Sequence, residues 1–269
     1  MLYISKDRIP SLNNTERNME QAYCTAVFWR GGEKIDLKGL KPNEVRCLTV
    51  TGEKITDLAF LSEYPNLEML TLDGKFSGVE ALSNLEQLNE LSLWLSEPVN
   101  WENVHLSALR SLHLRGEKNG DVSFLLSNIT FLHLQEMRTI QDLSSFLCAT
   151  LHLEKLFLES LASLQSLPEL QDLSNLHALK LYELHKLNDL SALSRSHLHY
   201  FAASLIADKM SAGALAKAVL AISNLKGAAL QLVDRSERRY SAIQKVFASD
   251  GKSDLLREEI SNYSKWISL

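Results

Sequence analysis

Two histidines stand in the same local setting 20 residues apart, His113 within Leu112–Leu114 and His133 within Leu132–Leu134. On neighbouring strands their Cβ atoms would lie about 5 Å apart. With Glu136 or Glu159 beside them, two imidazoles have the composition of a metal site. The plainer reading is a stacked polar pair, and no metal is expected. His197 and His199, which flank Leu198, are read the same way. Gly251–Lys252–Ser253 has the ending of a phosphate-binding loop. The full motif needs a glycine five residues before Gly251, where Val246 stands, so the match is rejected. Gly31–Gly32 lacks a third glycine and is read as a turn. No cysteine neighbours a histidine in a nucleophile setting, and nothing in the spacing fixes a Ser–His–Asp arrangement. No catalytic residue, no cofactor and no enzymatic activity are expected.

The elements that carry these residues follow one template, apolar at i, i+3 and i+5. It opens at Tyr23, Val45, Leu67, Leu88, Leu109, Ile129, Leu153, Leu176, Leu198 and Leu225. Start-to-start steps are 22, 22, 21, 21, 20, 24, 23, 22 and 27 residues. A unit of this length is too long for one strand and too short for a helix pair. It suits a short strand plus a return segment, repeated as coils. Return-leg apolar residues include Ile55, Leu58 and Leu61 in one coil and Leu187, Leu190 and Leu193 in another.

The pattern resembles the leucine-rich repeat family, in its short 22-residue, internalin-type class, over residues 23–233. The resemblance implies an α/β, right-handed solenoid. A curved parallel sheet forms the concave face, short helices or 3-10 turns form the convex face, and helical caps close the ends. The family places Asn or Cys at i+8. Here Glu53, Lys75, Ser96, Glu117 and Met137 stand there, so the bends need another stabiliser.

Alternation along each strand sends i+2, i+4 and i+6 away from the leucine core. From the fourth coil to the ninth these columns hold Trp94, His113, Arg115, Phe131, His133, Gln135, Phe157, Glu159, Lys180, Tyr182 and Tyr200. Aromatics with an arginine and flanking charges have the composition of protein-binding hot spots. These residues are the candidate partner-binding surface, read as exposed on the inner wall.

Residues 1–22 are read as an N-terminal cap with a short helix over Thr15–Tyr23. Residues 23–233 form about ten coils, the ninth step holding a full helix in SAGALAKAVLAIS. Residues 234–269 are read as a C-terminal helical cap, with Tyr240, Ile243 and Phe247 on one stripe and Gly251 at its end. A second amphipathic helix is expected over Leu256, Ile260, Tyr263 and Ile267, with Ser253 as its N-cap. A partner-binding arm is the alternative for these two helices.

The chain has 269 residues, is 45% apolar and 23% charged, and carries a net charge of −5. That balance supports a continuous core and argues against a sequence-independent nucleic-acid binder. No signal-peptide run or membrane span is recognised, and three cysteines suit a reducing compartment, so a cytoplasmic location is expected. The expectation is a non-catalytic, bacterial interaction protein, favoured as a monomer, that binds another protein on its sheet. An immunity-type inhibitor is preferred. An adaptor, an effector recognition domain and a carbohydrate-binding module are the alternatives.

Overall fold

The computed structural model describes residues 2–7, 24–29, 41–206, 209–231 and 237–257. The expected helix over Thr15–Tyr23 lies outside them. So do the C-terminal positions Ile260, Tyr263 and Ile267. The chain divides into two compact units, Met1–Ile129 and Thr130–Leu269.

The first unit carries β1 (Leu2–Asp7), β2 (Cys24–Trp29), β3 (Cys47–Asp57), β4 (Met69–Ser77), β5 (Glu90–Leu95) and β6 (Ser111–Arg115). β1 pairs antiparallel with β2, and every pairing from β2 to β6 is parallel. The second unit carries β7 (Phe131–Gln135), β8 (Lys155–Glu159), β9 (Ala178–Leu184), β10 (Tyr200–Ile206), β11 (Gly227–Gln231) and β12 (Leu256–Arg257). From β7 to β12 all pairings are parallel. The architecture is therefore α/β, with parallel strands and few, short helices.

The leucine template sets both the position and the register of the strands. Each strand from β3 to β11 begins two residues after its template start: Cys47 after Val45, Met69 after Leu67, and so on to Gly227 after Leu225. From β3 onward within the first unit, and throughout β7 to β11, equivalent positions face each other, as in Leu70↔Leu91↔Leu112 and Leu156↔Leu179↔Phe201; β2 is corrected by one residue, pairing Thr25 rather than Ala26 with Leu48. One backbone device recurs at the strand openings. Two successive N–H groups, such as those of Asn89 and Glu90, donate to one carbonyl at the opening of the preceding strand, here Glu68. His177 and Ala178 do the same to Glu154, and His199 and Tyr200 to His177. The template leucines from Leu48 to Leu198 are essentially closed to solvent, and Leu225 is half-buried. Each such burial is worth about 1.5–3 kcal/mol, which makes slipping a strand by one residue prohibitive.

Return segments are mostly 3-10 turns, at Leu58–Glu63, Val79–Asn84, Val122–Leu125 and Ser191–Arg195. Aspartates organise several of the bends that lack the expected asparagine. Asp57, Asp121, Asp142 and Asp189 each accept from the backbone N–H two residues on, at 3.0, 3.0, 2.9 and 2.8 Å. Bonds from Ser123, Ser144 and Ser191 hold the Asp121, Asp142 and Asp189 carboxyls below the ordinary aspartate range. The short side chain reaches its own turn and substitutes locally for a ladder between coils.

Among the described residues, three helices complete the second unit. α1 (Ser144–Leu147) is a single turn. α2 (Ala212–Leu220) occupies the expected Ala-rich step, with the Ser211 side chain accepting from Ala214 N at its start. Leu215, Val219 and Ile222 are buried beneath it. α3 (Glu237–Ser249) buries Ile243 and Phe247, and Gly251 follows with φ 70°. No described helix is long and apolar enough to cross a membrane.

Two expectations are corrected. Ile55 is 64% exposed rather than part of the core. The register of β3 shifts between Gly52 and Thr56, so the alternation restarts and Ile55 points out. The expected helix starting at Ser253 is instead a 3-10 turn, Ser253–Leu255, leading into β12. Leu256 pairs with Ala228 there, and the open edge of β11 captures the chain before a helix begins.

Candidate functional site

The face opposite the leucines is built from three columns per unit. In the first unit, the rows are Met69, Glu90 and Ser111; Thr71, Ser92 and His113; Asp73 and Trp94, followed by Arg115 on β6. Trp94 is 43% exposed, one of the few large apolar side chains in the open. The Arg115 guanidinium carbon lies 3.6 Å from its ring centroid. A flat, weakly hydrated cation on an indole face is a favourable stack, worth about 0.5–1 kcal/mol where solvent reaches it. Asp73 faces Trp94 from β4. Burial pushes its carboxyl up, and Arg115 partly offsets that. Burial also pushes the Glu90 carboxyl up. His113 is half-buried opposite Ser92.

In the second unit the rows are Phe131, Lys155, Ala178 and Tyr200; His133, Phe157, Lys180 and Ala202; Gln135, Glu159, Tyr182 and Ser204. The middle row forms a continuous stack. The His133 and Phe157 rings lie 4.0 Å apart with 10° between their planes. Lys180 Nζ sits 4.1 Å from the Phe157 centroid. Strands are spaced by about 4.8 Å, close to the thickness of two stacked rings, so in-register flat side chains cover one another. His133 Nε2 is 3.0 Å from Glu159 Oε2, and Gln135 Nε2 donates to Glu159 Oε1 at 3.1 Å. An ionised carboxylate only accepts, so this contact puts the imidazole proton on Nε2.

The electrostatics of this patch follow from its burial. Burial lowers the His133 pKa, against the opposing effect of Glu159, and Lys180 lowers it further. The hydrogen bond from His133 lowers the Glu159 carboxyl. Burial brings Lys180 down to about 8, with Glu159 opposing it. Lys155 is lowered for the same reason.

Phe131, His133 and Phe157 do not match the exposure expected of them. They are on the predicted face but only 5%, 5% and 6% exposed. For His133 and Phe157 the cover comes from neighbours on that same face: each other, Lys180 and Glu159. Trp94, His113, Arg115, Gln135, Glu159, Lys180, Tyr182 and Tyr200 remain at least partly accessible there. His113 belongs to the first unit and His133 to the second. Among the described residues, no group of three or more His, Cys, Asp or Glu is placed to hold a metal ion. The cysteine reading is corrected at Cys47, which is disulfide-bonded, whereas Cys148 is a free, exposed thiol.

Sequence reasoning passed over Lys155, Asp73 and Glu90, because a charge on a strand is ordinarily a solvated one. Their columns held the signal: each sits between uncharged or apolar neighbours. It also missed the residue at i+7. Glu136, Ser160, Glu183 and Leu205 all have φ of 54–55°. In the first unit glycine takes this position at Gly74 and Gly116.

No protein-family model matches the chain, and no curated protein matches it. Chemically the face offers preformed side chains on a rigid sheet: an arginine-backed indole in one unit, and a stacked imidazole–phenyl–ammonium row in the other.

Proposed function

We propose that the chain is a leucine-rich repeat solenoid of the short 22-residue class. On this reading it binds another protein through its sheet face and works by occlusion, as an immunity-type inhibitor does. The repeat reading is supported by the strands that open two residues into each template copy, and by the shared register within each unit. The observation that carries the binding reading is Trp94. An indole 43% exposed, with Arg115 stacked on it, sits on the face rather than in the core. Tryptophan and arginine are the residue types that dominate binding energy when a partner closes over them. A rigid sheet presents them with little ordering cost on association.

An adaptor or an effector recognition domain would use the same face. Carbohydrate binding has less support, because sugars stack on open ring faces. Phe157 lies between His133 and Lys180.

The test is capture of a partner from the source organism with the unaltered chain and with Trp94→Ala. One stoichiometric protein should be retained by the former. Trp94→Ala should weaken it by about 2 kcal/mol, roughly thirty-fold. Its urea midpoint should barely change, since the ring is half in solvent already. Equal retention by both chains would refute the reading.

A further inference from the structure

We propose that Glu90 is a cation seat on the sheet face of the first unit, and that one lysine or arginine side chain of the bound partner occupies it. This rests on the protein-binding reading of the sheet face and specifies the partner's chemistry. Glu90 opens β5 on that face, in a row between Met69 on β4 and Ser111 on β6. Neighbouring strands place those two Cα atoms about 4.8 Å to either side. Ser111 is buried, and Glu90 and Met69 are half-buried, so the carboxylate has lost much of its water.

The fold does not replace that water. Among the described residues, none donates a hydrogen bond to the Glu90 side chain and no cation pairs with it. Its two flanking side chains are a thioether and a hydroxyl, which carry no charge. Other carboxylates of this unit are matched by a cation on the next strand or turn, Glu68 by Arg46 and Glu97 by Lys75. On the face columns from β4 to β6 the ionisable groups are Asp73, Glu90, His113 and Arg115. Arg115 lies over Trp94 and acts on Asp73, whereas burial alone acts on Glu90. A desolvated charge without a partner is costly, and a cation closing over it relieves that cost. Glu90 and Trp94 share one face of β5, about 13 Å apart along the strand, so a partner of ordinary footprint that covers the indole reaches both. A lone carboxylate offers two oxygens, too few for the shell of a calcium or magnesium ion, whereas one ammonium or guanidinium donates to both.

The probe is fluorescein-labelled hexalysine, read by anisotropy on the full chain at physiological salt, with hexaglutamate as control. The net charge of −5 attracts hexalysine diffusely, and Glu86→Gln, exposed in the same coil, measures that part. Glu90→Gln removes the same charge and should weaken binding about ten-fold beyond Glu86→Gln. Its urea midpoint should rise, because a neutral amide is cheaper to bury than an unpaired carboxylate. Met69→Lys puts an ammonium opposite Glu90 within the fold, and should likewise weaken hexalysine and raise the midpoint. Glu90→Gln binding as tightly as Glu86→Gln would overturn the assignment. So would a lowered midpoint or loss of folding in Glu90→Gln, since the carboxylate would then be held by a partner of its own. If Met69→Lys alone fails to fold, Glu90→Gln decides. The outcome is separable from that of the broader reading. Partner capture that survives Glu90→Gln but fails with Trp94→Ala removes the seat and leaves the sheet-face interface standing.

Discussion

Lys180→Met should stabilise the protein near pH 7, although it deletes a cation–π contact. Lys180 is half-buried on the sheet, and its pKa falls from 10.5 to about 8. At about 1.4 kcal/mol per pKa unit, that gap sets a ceiling of about 3 kcal/mol on the cost of keeping the ammonium charged in the fold. The side chain is not fully enclosed, and solvent screening reduces the figure to about 1–2 kcal/mol. Losing the contact with Phe157 costs about 0.5–1 kcal/mol. Methionine keeps most of the apolar stem. The net gain is therefore about 1 kcal/mol. Its pH dependence is the diagnostic part. Between pH 8 and 10.5 the unfolded lysine binds a proton that the folded one has released, so the unaltered protein gains stability as pH rises through this window. The variant has no such group and lacks this gain. Urea unfolding of both chains at pH 7 and pH 10 measures the difference. The Met variant should lead at pH 7, and its advantage should shrink toward zero at pH 10. A variant less stable by the same amount at both values would show that packing against Phe157 dominates, and would refute the reasoning.

Gly74→Ala should destabilise the first unit by about 3 kcal/mol or more. Its φ is +127°, and a Cβ there would lie 2.1 Å from the Gly52 carbonyl oxygen, as a urea titration would register. Glu159→Gln should lower the His133 pKa further, since the carboxylate now raises it against burial. A histidine Cε1 titration by NMR reads this directly. Folded His133 titrates below its unfolded value, so stability falls as pH drops below about 6.5. The fall should be steeper in the variant, and an unchanged His133 titration would refute the coupling.

Burial on one side of the chain was legible in advance, and packing on the other side was not. Leucines at i, i+3 and i+5 must leave water together, which ties strand position and register to a pattern visible in one dimension. The fate of Phe131, His133 and Phe157 depends on what stands alongside them one coil away, 24 or 23 residues off in sequence. Alternation says which face a residue takes. Cover from neighbours on that face is a property of the column, and reading down the i+4 column gives His133, Phe157 and Lys180 in succession. Ile55 failed for a different reason. The irregular stretch after Gly52 restarts the alternation, and only the pairing with β4 shows where. The C-terminal end failed because a helical stripe near Leu256 competes with an open strand edge. Local periodicity carries no information about that edge.

The i+7 position shows how far the repeat overrides local preference. The first unit uses glycine there, at Gly74 and Gly116, whereas the second places Glu136, Ser160, Glu183 and Leu205 in the same left-handed region. For a residue with a Cβ this costs about 1–2 kcal/mol. The backbone ladder holds the conformation: Glu136 N donates to Glu159 O at 3.0 Å, and Ser160 N to Tyr182 O at 2.9 Å. The bend is thus a demand of the parallel strand ends, met by whichever residue falls on it. Leu205 tests this most directly, because its side chain is large and only half-buried. Leu205→Gly removes the backbone strain, forfeits about 1 kcal/mol of burial and adds about 0.5–1 kcal/mol of unfolded-chain entropy. These nearly cancel, so the net loss should stay below about 1 kcal/mol, as measured by urea unfolding. Leu181→Gly, on a strand and closed to solvent, should cost more than about 4 kcal/mol. A loss at Leu205 as large as that at Leu181 would mean the leucine is held for its packing, and that the left-handed turn carries no strain to release.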